Sequence, residues 1–164
     1  MRIGILTIST SLARGERPDD ASGDAIAAFV AGPDLAATVT QRATVADDRT
    51  AIRDTLIAWA DSGACDVILT TGGTGFAPSD VTPEATADAI ERAAPGLAEA
   101  MRAGTAVQTP LAWLSRSTAG MRGLTLIVNL PGSPKAVREC LAVLAPLLPH
   151  AVDILTGRVR QHGQ

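Results

Sequence analysis

The sequence predicts an α/β protein of three layers, a mostly parallel sheet covered by helices on both faces. Three observations predict it. Arg2–Ile8 and Leu124–Asn129 (LTLIVN) are aliphatic and β-branched through most of their length, as strands buried on both faces are. Segments of strand and helix character alternate along the chain, the pattern that crossover connections between parallel strands produce. Two helix starts are also clear, Thr82-Pro83-Glu84 and Ser133-Pro134, each a hydroxyl residue before a proline.

Taken in order, Arg2–Ile8 is the first strand and Ser9–Ala21, rich in Arg, Asp and Gly, is a loop. Ser22 is placed to cap a helix from Gly23 to about Ala31, ended by Gly32-Pro33. Ala37–Thr44 alternates as a second strand. Asp47 or Asp48 then caps a helix with Ile52, Leu56, Ile57, Trp59 and Ala60 on a rough helical period, stopped at Gly63. Val67–Thr71 is the third strand. A helix from Thr82 to about Ala93 follows the loop Gly72–Asp80, and Pro95-Gly96 breaks the chain before a helix over Leu97–Ala103. Leu111–Leu114 suits a helical turn, and Thr118–Arg122 and Leu124–Asn129 suit strands. Lys135–Leu144 and Pro149–Leu155 suit helices, with a frayed end expected from Gly157. The expected organisation is one domain over residues 1–164.

Composition excludes several chemistries. Aromatic residues are 2% of the 164, with no Tyr, so a stacking platform for single-stranded nucleic acid is lacking. The formal charge of −3 argues against a basic nucleic-acid surface. The two histidines, His150 and His162, lie near the end of the chain, which leaves no His for a zinc site or a Ser-His-Asp triad in the body of the fold. Cys65 and Cys140 form no CxxC; they read as two buried thiols or one disulfide. Trp59 and Trp113 read as packing residues, and His150 as a surface cap. MRIGILTIST reads as a strand rather than a signal peptide, and the longest apolar run, Cys140–Pro149, is far below the roughly 20 residues that span a bilayer. A soluble, cytoplasmic protein without membrane or nucleic-acid partners is expected.

Ligands of such sheets bind beyond the carboxyl ends of the strands, where Ser9–Ser22, Thr70–Asp80 and Asn129–Lys135 emerge. Thr70-Thr71-Gly72-Gly73-Thr74-Gly75 offers free amides and hydroxyls to phosphate oxygens, or is a plain glycine-rich turn. It is neither a Walker A loop nor a dinucleotide fingerprint, since no Gly-Lys-Ser/Thr follows and Pro78 stands where a third Gly would. Asp80 suits a helix cap or a Mg²⁺ ligand beside a phosphate. Of Asp47 and Asp48, one is a cap and the other is free for metal or substrate. Pro131-Gly132-Ser133-Pro134-Lys135 brings the only Lys to a helix N-terminus, as a second anion site or as a surface turn. Ser9, Arg14 and Arg17 lie in the first loop.

TTGGTGFAPSDVTPEAT (Thr70–Thr86) and NLPGSPKAV (Asn129–Val137) closely resemble the MoaB/Mog family of molybdenum-cofactor biosynthesis, nearest to its adenylyltransferases. ADDRTAI (Ala46–Ile52) and DASG (Asp20–Gly23) resemble two further family segments, and the matches run along nearly the whole chain in the family order. The resemblance implies a Rossmann-like αβα fold, commonly a homotrimer. It also implies transfer of AMP from Mg-ATP to the terminal phosphate of molybdopterin, the product passing to a molybdate insertase. Asp80 and Asp47 take the catalytic and metal-linked positions. Thr71, Gly72, Gly73, Thr74, Gly75, Pro131, Gly132, Ser133, Lys135, Ser9 and Ser115 take substrate-binding ones. The family's first-loop motif S-D-R-A-S is Ser9-Thr10-Ser11-Leu12-Ala13 here; its acid and base are absent, with Arg14 and Arg17 the nearby cations. A non-catalytic molybdopterin-binding paralogue is the alternative. Because the substrate's phosphate is the nucleophile, no Ser, Cys or His of the protein's own is required.

Overall fold

The computed structural model describes residues 1–158 and builds a six-stranded sheet from β1 (Arg2–Ile8), β2 (Thr38–Val45), β3 (Val67–Thr71), β4 (Arg92–Ala93), β5 (Ala119–Arg122) and β6 (Thr125–Leu130). The spatial order is β2-β1-β3-β6-β5-β4. The first four strands of that order run parallel, whereas β5 and β4 add antiparallel at one edge. The mostly parallel sheet expected from the alternating pattern is therefore present.

The pleat sends alternate residues to opposite faces. Ile3, Ile5, Val67, Leu69, Leu126 and Val128 meet α2 (Ala21–Ala31), α5 (Pro95–Ala106), α6 (Pro134–Leu144) and α7 (Leu148–Leu155). Leu6, Ile8, Ile68 and Ile127 meet α3 (Arg49–Asp61) and α4 (Thr82–Ala89). Each such aliphatic side chain contributes about 1.5–3 kcal/mol on burial, which makes the two layers the main source of stability. Gly4 is needed here: a Cβ on it would stand 2.9 Å from Cys65 Sγ and 3.1 Å from the Trp59 ring. Trp59 thus packs as expected, but Trp113 is exposed.

Several boundaries differ from the sequence-based expectations, each through a contact distant in sequence or a competing cap. The first loop contains a short helix, α1 (Thr10–Ala13), capped by Ser9. Helix α2 is capped by Asp20, not Ser22; the Asp20 carboxylate accepts from Gly23 N at 2.9 Å and so starts the helix two residues early. Asp48 is the cap of α3, leaving Asp47 free. Thr82 opens α4 without capping it, since its hydroxyl donates to Gly72 O. That helix stops at Ala89 rather than near Ala93, because Arg92–Ala93 is drawn into pairing with Met121 and Gly120. His150 lies inside α7 and caps nothing. Cys65 and Cys140 are both buried and free; they sit in the layers on opposite faces of the sheet, so no disulfide joins them. The frayed end expected from Gly157 falls largely outside the described residues, as does His162. Among the described residues no helix is long and apolar enough to cross a membrane.

Candidate active site

Strands β1, β3 and β6 deliver three loops to one rim. The Thr71 hydroxyl, fully buried, donates to Pro131 O at 2.7 Å and joins the second loop to the third. Gly132 lies so close to Gly72 that a Cβ on it would stand 3.5 Å from Gly72 Cα. Gly72 and Gly73 adopt φ of +100° and +63°, and a Cβ on Gly72 would come within 2.3 Å of Ile8 O. Both the left-handed backbone and the approach to β1 therefore demand glycine at 72. Thr82 fixes the turn from the far side, its hydroxyl on Gly72 O at 2.8 Å and its amide on Gly73 O at 3.1 Å. The amides of Gly73, Thr74 and Gly75 donate to no protein acceptor among the described residues. They are available to an anion.

The two expected aspartates flank this turn. Asp47 Oδ2 accepts from Thr10 N at 2.8 Å and Thr10 Oγ1 at 2.7 Å, and Asp47 N donates back to Thr10 Oγ1 at 3.0 Å. Its other oxygen lies 3.5 Å from the Cβ position of Gly73. Asp80 Oδ2 accepts from Ala77 N at 2.9 Å and stands 2.8 Å from the Cβ position of Gly75. One carboxylate thus abuts each end of Gly73–Gly75. Among the described residues no three His, Cys, Asp or Glu side chains group as a metal cage. The divergent first loop still has a clear task, since Thr10 clasps Asp47.

Arg116 was not among the residues the sequence singled out, yet it holds the turn in place. Its guanidinium donates to Gly75 O at 2.6 Å, to the carbonyl of Asp80, and to the Glu84 carboxylate, while its amide donates to Thr74 O at 3.0 Å. The hydrogen bonds from Arg116 keep the Glu84 carboxyl below its ordinary pKa despite partial burial. Asn129 is equally committed: its amide donates to Thr70 Oγ1 at 3.0 Å and Thr86 Oγ1 at 2.8 Å beneath the loops. Arg102 donates to Ser115 O and Ser117 O at 3.2 and 3.0 Å. No short-range sequence signal reveals these partners, which lie far along the chain.

A cleft of about 610 Å³ opens beside the turn, with Gly73, Thr74, Gly75, Asp80, Pro131 and Gly132 at one end. Ser115 also lines it, its hydroxyl bonded to Ser117 Oγ at 2.9 Å. Met101, Leu111, Leu114, Glu139 and Cys140 line it as well. Burial pushes the Cys140 thiol up to about 11, so it is a neutral wall group. Across Gly72 and Gly132 lies a smaller space of about 180 Å³, lined by Ser9, Arg17, Ser22 and Pro134. The loops thus bring together Gly72–Gly75, Asp80, Asp47, Pro131, Gly132, Ser9 and Ser115. Other candidates are placed differently. Thr71 acts through the Pro131 tie, and Ser133 caps α6 through Ala136 N. Lys135 has an 82% exposed side chain 3.7 Å from Glu139 and lines neither space. Arg14 is exposed beside Glu16.

Residues 4–150 match the family model described as "Probable molybdopterin binding domain". The chain belongs to the molybdopterin-binding MoaB/Mog family. A curated molybdopterin adenylyltransferase of Helicobacter pylori is 40% identical over 98% of this chain and 91% of its own. The crystal structure of the molybdopterin biosynthesis enzyme MoaB from Thermus thermophilus superposes with a TM-score of 0.87 at 49% identity, covering 95% of this chain and 96% of that one. A molybdenum cofactor biosynthesis bifunctional protein of Synechococcus elongatus is 40% identical over 93% of this chain, but only 47% of that longer protein is matched. The MoaB/Mog fold is therefore that of this molecule.

Proposed function

We propose that this MoaB/Mog protein is a molybdopterin adenylyltransferase, joining AMP from ATP to the terminal phosphate of molybdopterin with release of pyrophosphate. The observation that carries the reading is the pair Asp47 and Asp80 set against the two ends of the open amides Gly73–Gly75. A site that only held a phosphate monoester would gain nothing from two carboxylates beside it. A site that handles a nucleotide's cation together with its phosphates does.

Magnesium enters as the counter-ion of ATP. The donor set fits it: each carboxylate commits one oxygen to the protein, Asp47 to Thr10 and Asp80 to Ala77, and keeps a second hard oxygen. Two carboxylates without a complete cage are what an ion arriving with substrate phosphates needs. When bound it would neutralise charge on the α-phosphate and the departing pyrophosphate.

The chain's own residues then supply position and charge stabilisation. The amides of Gly73–Gly75 bind phosphate oxygens, and Arg116 keeps that turn rigid through Gly75 O and Asp80 O. The Thr71–Pro131 tie fixes the spacing of the second and third loops. An oxygen of the molybdopterin phosphate attacks the α-phosphorus, the α–β bridging bond breaks, and pyrophosphate carries away the electron pair. No protein nucleophile intervenes. The protein's role is alignment of two anions that otherwise repel.

Homotrimeric assembly, a cytoplasmic setting and handover to a molybdate insertase are proposed with this activity. Val107 and Trp113 are exposed and apolar outside the cleft, side chains that a neighbouring subunit can cover. Sedimentation equilibrium tests the trimer. The activity itself is tested by pyrophosphate release on mixing the protein with magnesium, ATP and molybdopterin. Release that requires all of them is expected; tight molybdopterin binding without release would identify a non-catalytic binder instead.

A further inference from the structure

The cleft is chemically polarised. The loop after β3 lines it with glycine amides and Asp80, whereas Met101 of α5, Cys140 of α6, and Leu111 and Leu114 of the 3-10 turn Pro110–Leu114 line it with apolar side chains. Of the charged side chains lining the cleft, Asp80 belongs to the glycine loop. Arg102 is spent on the carbonyls of Ser115 and Ser117. Glu139, on α6, is the one the mechanism above does not use. Its side chain is 19% exposed, and Lys135 Nζ lies 3.7 Å from Oε1. With its amide turned to donate, Gln108 Nε2 lies 2.6 and 3.1 Å from Oε1 and Oε2. Both partners are exposed residues approaching from the surface. They orient the carboxylate. An ionised carboxylate accepts about four hydrogen bonds, so acceptor capacity remains for a ligand in the cleft.

We infer that Glu139 reads the pterin ring. This rests on the adenylyltransferase reading. A 2-amino-4-oxo pteridine presents two adjacent donors, the ring N3–H and the 2-amino group, spaced as a fork that one carboxylate accepts in parallel. With the terminal phosphate at Gly73–Gly75, the ring is carried toward α5 and α6, where the apolar side chains receive its faces and Glu139 its donor edge. The same carboxylate rejects the other substrate's base. Adenine sets one N–H donor beside an acceptor nitrogen, and seating it on Glu139 would place two acceptors against each other. Glu139 therefore assigns the two substrates to different places, a selection that shape alone achieves poorly.

The test compares wild type with Glu139→Gln and Glu139→Asp. An amide offers one acceptor and turns an N–H toward the ring donors, whereas aspartate keeps the charge with a shorter reach. Glu139→Gln is expected to raise the Kd and KM for molybdopterin at least ~10-fold, the scale of a lost hydrogen bond to a charged group. The KM for ATP should stay within about twofold, and Glu139→Asp should lie between. A second readout separates recognition from helix structure: binding of 6-hydroxymethylpterin against its 2-deamino analogue. Wild type should prefer the 2-amino compound, and Glu139→Gln should lose the preference. If Glu139→Gln binds molybdopterin as wild type does and keeps the preference, Glu139 is only the partner of Lys135 and the inference falls. Wild-type protein that shows the pterin preference but releases no pyrophosphate defeats the adenylyltransferase reading while supporting Glu139. Wild-type release with an indifferent Glu139→Gln defeats Glu139 alone.

Discussion

The Thr71 hydroxyl donates to the Pro131 carbonyl across 2.7 Å, and this one bond couples the turn after β3 to the turn after β6. Thr71 is wholly buried, so water cannot replace the bond if it is lost. Thr71→Val keeps the shape and removes the donor. The expected cost is ~1–3 kcal/mol of stability, with a raised KM for both substrates because the two anion-facing loops lose their spacing. Thermal unfolding and steady-state kinetics check this; an unchanged melting temperature would contradict it.

Arg116 fastens Gly75, Asp80 and Glu84 with one planar guanidinium. Lysine has the charge but not the fork, and reaches these groups only one at a time. Arg116→Lys should leave the fold intact by circular dichroism yet lower kcat by between ~10- and ~10²-fold, the penalty for reacting groups displaced by about an ångström. A variant with full kcat would reduce Arg116 to a surface ion pair with Glu84.

These two residues also mark how far the sequence was legible. Both clean β-runs, the Asp47/Asp48 helix start and the glycine turns are local patterns, and each is where the chain predicted it. Strand β4 was not legible, because two residues become a strand only by pairing with Gly120 and Met121. The cap of α2 was misread for a related reason: Ser22 and Asp20 are both competent caps, but Asp20 is also anchored by Thr7 and Arg42. At the site, the glycines and aspartates announce themselves by type and spacing. Arg116, Arg102 and Glu139 look like ordinary charged residues until the fold brings their partners from distant segments. Lys135 shows the converse, a conspicuous residue that the fold leaves at the surface.

Asp66 predicts a pH dependence of stability. Burial opposes its ionisation, but hydrogen bonds from the Arg2 side chain and amide, at 2.8 and 2.7 Å, outweigh that and hold its carboxyl below the ordinary value. A carboxyl depressed on folding contributes stability that is complete above its unfolded value, about 3.9, and is lost as pH falls through its lower folded value. Asp66→Asn should therefore be less stable than wild type at neutral pH, with the gap closing as both are taken below that range. Urea unfolding at neutral and acid pH measures it; a gap independent of pH would mean the charge plays no part.

Asp80 has the most exacting role assigned at the rim. Asp80→Asn preserves size and an oxygen acceptor for Ala77 N while removing the charge, so folding should persist. Turnover should fall at least ~10²-fold with magnesium present, the usual scale for an electrostatic catalytic group. Single-turnover rates for the folded variant provide the check, and near-normal turnover would remove Asp80 from the reaction.

In the proposed reaction the Asp47–Gly73–Gly75–Asp80 rim transfers an adenylyl group between two bound anions. Its most direct measurement is the fate of ATP labelled at the α-phosphate in a single turnover with molybdopterin. The label should move to the pterin, one equivalent for each pyrophosphate released. Label that stays in ATP, or that appears as free AMP with the pterin unlabelled, would contradict it.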